Sequence, residues 1–244
     1  LAYSTISHLG LITLLLGMNS AMALIAAIFH IINHATFKAS LFMATGIVDH
    51  ETGTRNLNRL SGLRYAMPIT ALLASVAAAA MAGVPVLNGF LSKEMFFAEA
   101  VETANGSSWD YVIPLIAVIA SAFSVAYSLR FIMQVFFGPP AKNLPREPHE
   151  PPIQMLIPSI ILVLICLAVG MIPGYTVAPF LDVAAHSILN LKMPDFSLRI
   201  WHGFNLPLVM SIIAMLAGVM LVFLLDNYRQ GRSDRAPILY RVDG

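Results

Sequence analysis

His30, His34 and Lys38 stand at four-residue intervals in the segment FHIINHATFKAS, inside an apolar run long enough to cross a bilayer. At i, i+4 and i+8 of a helix they project from nearly one face, each about 6 Å farther along the axis. In a helix over about residues 20 to 48, His34 falls at the midpoint, so neither His30 nor Lys38 snorkels easily to the headgroups. A lysine at that depth costs about 3 kcal/mol even on the gentler insertion scale, so the stripe must face protein or water. Histidine exchanges protons near neutral pH, and a lysine held away from water can join that exchange. Steps of about 6 Å exceed a hydrogen bond, but flexible side chains and single waters close them. The chemistry this describes is a hydrated proton relay. Two other readings stand beside it. The histidines can be satisfied core residues, or they can bind a metal, since i, i+4 is also a ligand spacing. Against a metal, there is no Glu beside His30 and no obvious third ligand.

A second intramembrane lysine, Lys93, lies in GFLSKEMFFAE, eight residues beyond Pro85. Broken membrane helices often bracket ion or proton sites, because the break frees backbone groups and admits water. Glu94 is its neighbour in sequence but points about 100° away, which makes it a poor partner within the same helix. Glu94, His8 in STISHLG and Arg130 in AYSLRFIMQVFFG are auxiliary candidates. His8 falls mid-helix and can extend the polar axis or serve structure. Arg130 lies about two turns from Gly138, where snorkelling accounts for it. Asp182 and His186, also at i, i+4, read as an exposed pair on a surface helix.

The elements that must carry these groups are membrane helices. The 244 residues are 58% hydrophobic and 11% charged, with a mean hydropathy of +0.77, which excludes an ordinary soluble domain. A net charge of +1, with Lys and Arg set between apolar runs, gives no case for nucleic acid. The single cysteine, Cys166, sits in an apolar run and supports neither a disulfide nor a thiolate metal site. No motif calls for a cofactor. Seven helical stretches are expected, over about 2–18, 20–48, 68–82, a fourth reaching about 103 after interruption at Pro85 and Gly89, 111–137, 153–172 and 205–226. The fourth carries Lys93, Glu94, Glu99 and Glu102 and is too polar for lipid, so it is expected to be buried in protein. The proline-rich GPPAKNLPREPHEPP cannot be helical throughout, and VAPFLDVAAHSILNL suits an amphipathic surface helix. With the proline-rich loop and the tail on one side, the Lys/Arg count leans weakly toward a cytoplasmic tail. The chain opens on what reads as helix interior, so a piece of a longer protein is expected.

LAYSTISHLG, AIFHIINHATFKASLF, RNLNRLSGL and MAGVPVLNGFLSKE, in this order, resemble the antiporter-type subunits shared by respiratory complex I and the multisubunit Mrp-type cation/proton antiporters. DHETGTRNLNRL and WHGFNLPL look more like the large A subunit of the Mrp-type Na+/H+ antiporter. The resemblance implies an all-α, polytopic fold: the second inverted repeat of an antiporter-like module, with a broken helix. It implies that 1–172 form the C-terminal half of that module, 173–203 a connecting segment with a possible amphipathic surface helix, and 204–244 a further transmembrane helix and solvated tail. It makes Lys38 the central proton-transfer lysine, sets His30 and His34 on the same hydrophilic axis, and makes Lys93 the lysine of the broken helix. The implied activity is Na+/H+ exchange in a hetero-oligomer with other antiporter subunits, in a bacterial inner membrane. The alternative it leaves is a proton-translocating subunit of a complex I or membrane-bound hydrogenase type redox enzyme, without a catalytic centre of its own.

Overall fold

The computed structural model describes residues 1–57, 59–103, 110–141, 144–189 and 203–230. Most of the NGSSWD turn, the start of WHGFN, the tail beyond 230, and Lys142, Lys192 and Arg199 of the charge count lie outside them.

Helix α1 spans Ala2–Gly17 and α2 spans Ala21–Thr52. Ser20 caps α2, its hydroxyl accepting from the Ala23 amide at 3.0 Å. The helix runs past the expected end to a left-handed Gly53, φ 70°. The polar loop after it holds one 3-10 turn, Leu63–Tyr65. Helix α3, Pro68–Ala82, starts on a proline and stops at Gly83, φ 86°. After the break comes α4, Asn88–Glu102, then α5, Val112–Val135, and α6, Ile153–Met171. A four-residue α7, Pro173–Thr176, leads into α8, Ala178–Leu189, and α9 covers Leu206–Gln230. No strand occurs among the described residues.

Four of these helices, α2, α5, α6 and, over Leu206–Asn227, α9, are long and apolar enough to cross a membrane. Helix α2 is central, packing on α1, α3, α4 and α6. The polar α4 is buried as expected: Lys93, Glu94 and Glu99 are all inside, and only Glu102 is exposed. Helix α8 turns Leu181 and Ala185 inward and leaves Phe180, Val183 and Ile188 exposed, so apolar side chains stand on both of its faces. Its Asp182 and His186 stand 3.8 Å apart, both half exposed, as the spacing foretold.

The α3–α4 break is built differently from the expected Pro85–Gly89 interruption. Gly89 is the second residue of α4, not part of the break. It is glycine because an added Cβ would overlap the Ala80 carbonyl oxygen of α3. Gly170 of α6 meets the backbone of Val86 and Leu87 in the same way. The strained residue is Val86, whose φ of 72° is rare for a β-branched side chain. The proline-rich connection then folds back over the helix ends. The Glu150 carboxylate accepts the Ile69 amide at 2.8 Å and the Thr70 amide at 3.0 Å, capping α3 from 80 residues away. The two oxygens of buried Glu51 take His50 and His149 at 3.0 and 3.2 Å.

Gly89→Ala is expected to destabilise the bundle by about 1–3 kcal/mol, since backbone stands where the methyl would go. Gly46→Ala, on the exposed side of α2 with nothing within 4 Å, should leave stability equal or slightly raised. Thermal unfolding of the detergent-solubilised full-length protein checks both, and equal transition temperatures for the two variants would refute the close approach.

Candidate proton-transfer site

The apolar run that makes α2 long also threads it through the middle of the bundle, so its His/Lys stripe meets other helices rather than lipid. His30 and Lys38 are buried, and His34 is half-buried. The stripe does not act alone. Helix α1 lies antiparallel to α2 and presents Ser4 and His8, four residues apart, to the same face. Ser4 Oγ accepts from Lys38 Nζ, and His8 Nδ1 meets His30 Nε2 at 3.0 Å. His8, an auxiliary candidate in the sequence, is therefore a central member. It is fully buried, its ring centroid 5.2 Å from that of His30 and 5.0 Å from that of His34. The ring centroids of His30 and His34 are 6.4 Å apart, so His8 fills the gap that the spacing along α2 leaves open.

Helices α4 and α5 extend the contact. Ser92 Oγ lies 3.1 Å from His30 Nδ1, and Tyr127 Oη lies 2.9 Å from His8 Nε2. Ser92 can donate to the Gly89 carbonyl at 3.3 Å; Tyr127 can donate to Ser124 Oγ at 3.2 Å, and Ser124 donates to the Met81 carbonyl at 3.0 Å. A chain of hydrogen bonds thus runs Tyr127–His8–His30–Ser92 across four helices. It is satisfied in either proton order. In one, the Tyr127 hydroxyl donates to His8, His8 Nδ1–H to His30, His30 Nδ1–H to Ser92, and Ser92 to the Gly89 carbonyl. In the other, Ser92 donates to His30, His30 Nε2–H to His8, His8 Nε2–H to Tyr127, and Tyr127 to Ser124. Both histidines are neutral in both orders, and the two states differ only in which nitrogens carry protons. A carbonyl acceptor terminates each end.

The lysines flank this chain. Lys38 donates to Ser4, to the Leu1 carbonyl at 3.4 Å and to Met81 Sδ at 3.3 Å. Lys93 donates to the Ala82 carbonyl at 2.8 Å, at the C-terminal end of α3 that the break exposes. Its aliphatic stem covers Gly83, where a Cβ would stand 2.7 Å from Lys93 Cδ. A cation against helix-terminal carbonyls is favourably placed. Both lysines rest on neutral acceptors and so can lose a proton without orphaning a buried carboxylate.

Two auxiliary candidates fall outside the chain, and the metal reading finds no support in it. Glu94 is buried on α4, on a face turned away from Lys93. Arg130 is half-buried and lines a cavity of about 740 Å³ with Ser4, Ser7, Tyr127 and Gln134. A metal on His30 and His34 is disfavoured because both ring nitrogens of His30 are taken by His8 and Ser92. Tyr127, Ser92 and Ser4 were missed by the sequence reading. The usable signal was Ser4 and His8, a polar i, i+4 pair that repeats the interval of the α2 stripe.

A helical membrane protein with a buried, reorientable His/Lys hydrogen-bond network is the class these features define. The chain belongs to the family described as NADH:quinone oxidoreductase/Mrp antiporter, TM, which matches residues 1–124. It is 59% identical over its full length to the probable A/B component of a K(+)/H(+) antiporter from Rhizobium meliloti, of which it covers 24%. It is 39% identical to the A component of the Na(+)/H(+) antiporter of Alkalihalophilus pseudofirmus, covering 34% of that protein. Among solved structures, the Mrp complex from Dietzia sp. matches with a TM-score of 0.78 and 35% identity, over 91% of this chain and 24% of that one. A membrane-bound sulfane sulfur reductase, an archaeal respiratory membrane complex, matches with a TM-score of 0.67 and 27% identity, over 97% of this chain and 37% of that one. The chain thus spans about a quarter to a third of the length of these relatives.

His8→Leu is expected to cost about 1–3 kcal/mol, the penalty for leaving a buried His30 nitrogen and the Tyr127 hydroxyl without that partner. His186→Leu, on exposed α8, should cost under about 0.5 kcal/mol. Thermal unfolding of the solubilised full-length protein measures the difference, and equal effects would remove His8 from the network.

Proposed function

We propose that this chain is the proton-handling part of an Mrp-type cation/proton antiporter component, working with other antiporter subunits in a bacterial cell membrane. The observation that carries the proposal is the Tyr127–His8–His30–Ser92 chain flanked by Lys38 and Lys93. Lys38 takes up or releases a proton at Nζ, with Ser4 holding it in register. His34, with its ring against His8, links Lys38 to the chain. His8 and His30 pass the proton by exchanging tautomers, and Lys93 receives or releases it where α3 and α4 part. In this scheme residues 1–172 act as the C-terminal half of the antiporter module, and α8 and α9 form a connecting and accessory region.

The cation is a monovalent ion. Relatives named for Na+ and for K+ both match, and the K+-named one shares the higher identity, so both ions belong in the test. A second reading, a proton-translocating subunit of a redox complex, draws on the likeness to the sulfane sulfur reductase. Identity is lower there, and the antiporter reading is favoured.

The test is dissipation of a pH gradient on adding Na+ or K+ to everted vesicles of an antiporter-deficient host expressing the full operon. Lys38→Ala should lower the exchange rate by roughly a hundredfold or more, the usual scale for losing a proton-transfer group, with the complex still assembled. His8→Ala should fall as far as His30→Ala, because they share one hydrogen bond. Unchanged exchange in Lys38→Ala would make the network polar packing. Absence of exchange with either ion in the wild type would favour the redox reading.

A further inference from the structure

Helix α3 is gripped at both ends by groups from distant parts of the chain. At its start, Met67 makes no side-chain cap, and Glu150 of the proline-rich connection takes that role. One carboxylate oxygen accepts the Ile69 amide at 2.8 Å, and the other accepts the Thr70 amide at 3.0 Å and the buried Thr70 hydroxyl at 2.6 Å. A carboxylate there gains from the free amides and from the helix dipole together. At its finish, the last turn of α3 holds three members of the proton-transfer network. Met81 Sδ accepts from Lys38 Nζ at 3.3 Å, the Met81 carbonyl from Ser124 at 3.0 Å, and the Ala82 carbonyl from Lys93 at 2.8 Å.

A helix of 15 residues is a rod of about 22 Å, so whatever fixes the height of its first turn fixes that of its last. Side-chain packing holds that height weakly here, because Ala71, Ala74, Ala77, Ala78, Ala80 and Ala82 make up most of the buried face and give only shallow ridges. The anchor is therefore consequential, and so is its origin. A cap from Met67 itself would satisfy the same amides but would move with α3. The proline-rich connection is instead fastened to the end of α2: the Arg146 amide donates to the Thr52 carbonyl at 3.3 Å, the Arg146 guanidinium to the His50 carbonyl at 3.1 Å, and His149 meets buried Glu51 at 3.2 Å. We infer that Glu150 is a positioning residue for the network: it sets the height of α3 against α2, so that one turn of α3 meets Lys38, Ser124 and Lys93 together. Glu150 acts only through α3. The functional consequence rests on the proton-transfer reading above, whereas the anchoring rests on the contacts alone.

Amide hydrogen exchange and cation-driven dissipation of a pH gradient, both on the complex expressed from the full operon, test the inference. The Gly83 and Val84 amides, each bonded to the Ala79 carbonyl at 3.0 Å, report on the last turn. In Glu150→Ala they should exchange several-fold faster than in wild type, about 20 Å from the substitution. The maximal rate of Na+- or K+-driven dissipation should fall several-fold with the half-saturating cation concentration unchanged. Glu150→Gln, which keeps one amide acceptor without the charge, should fall between. Glu147→Ala, at an exposed carboxylate of the same connection, should match wild type in both measurements. Faster amide exchange confined to the first turn of α3, with Gly83 and Val84 unchanged, would overturn the inference and leave Glu150 a local cap. A changed half-saturating concentration with an unchanged maximal rate would overturn it too. Faster exchange at Gly83 and Val84 beside wild-type vesicles that move neither ion would uphold the anchoring and sink the transport reading. If Glu150→Ala fails to assemble, Thr70→Val, which removes the hydroxyl contact and spares the backbone amides, should still speed exchange at Gly83 and Val84, and an unchanged rate there would count equally against the inference.

Discussion

The His8–His30 hydrogen bond is the contact on which the remaining geometry depends. A buried imidazole is costly unless its nitrogens are hydrogen-bonded, and His30 and His34, with ring centroids 6.4 Å apart, do not serve each other. The partner must come from another helix. His8 supplies it, and once α1 is pinned there, Ser4, about 6 Å farther along α1, comes within reach of Lys38, about 12 Å along the antiparallel α2, because the long lysine side chain spans the difference. The other nitrogens of the pair then require hydroxyls from α4 and α5, which Ser92 and Tyr127 provide. One desolvation constraint, applied twice at each ring, therefore sets the mutual placement of four helices.

The break between α3 and α4 answers a second demand. A buried lysine needs acceptors, and a continuous helix consumes its own carbonyls. Ending α3 at Gly83 releases the Ala82 carbonyl, which Lys93 takes at 2.8 Å. The geometry is bought with strain at Val86 and with glycine at 83, 89 and 170, each where backbone or the lysine stem passes too close for a side chain. Tight packing around a broken helix is what lets non-helical backbone persist at depth, since water cannot be relied on to satisfy it.

How much of this was legible in the sequence follows from what periodicity can encode. A four-residue interval reports that side chains share a helix face, so the His30, His34, Lys38 stripe could be read directly, as could the exposed Asp182–His186 pair and the burial of α4 from its charge content. Periodicity says nothing about which helices meet. His8 was read as able to extend the polar axis or serve structure and Arg130 as a snorkelling residue, but their neighbours could not be inferred: one is a ring packed between two others, the other part of a cavity wall. Tyr127 and the serines carried still less signal, because hydroxyls in membrane helices often bond back to their own backbone, as Thr36 does with the Ile32 carbonyl. Gly89 was misplaced for a related reason. A glycine read from sequence signals permissive backbone, whereas here it marks a helix-to-helix approach that only the packed structure reveals.

A proton path in a bilayer has two opposed requirements: every polar atom must be satisfied, yet none can be satisfied in only one way. Salt bridges meet the first and fail the second, since moving the proton would leave a buried charge unpaired. The chain across α5, α1, α2 and α4 avoids that conflict by using neutral groups that both donate and accept, with the Gly89 carbonyl closing one proton order and Ser124, itself bonded to the Met81 carbonyl, closing the other. The two lysines, held by hydroxyl, thioether and carbonyl rather than by carboxylates, follow the same logic, since deprotonation costs each a donor but strands no counter-charge. The buried carboxylates of Glu51 and Glu99 are kept at the helix ends, one receiving two histidines and the other accepting from Ser20 at 2.6 Å. Glu51 and Glu99 thus set fixed charge near helix ends, where it orders the fold, while Glu94, midway along α4, is buried outside the chain, and exchangeable neutral groups make up the chain itself, where a proton would have to pass.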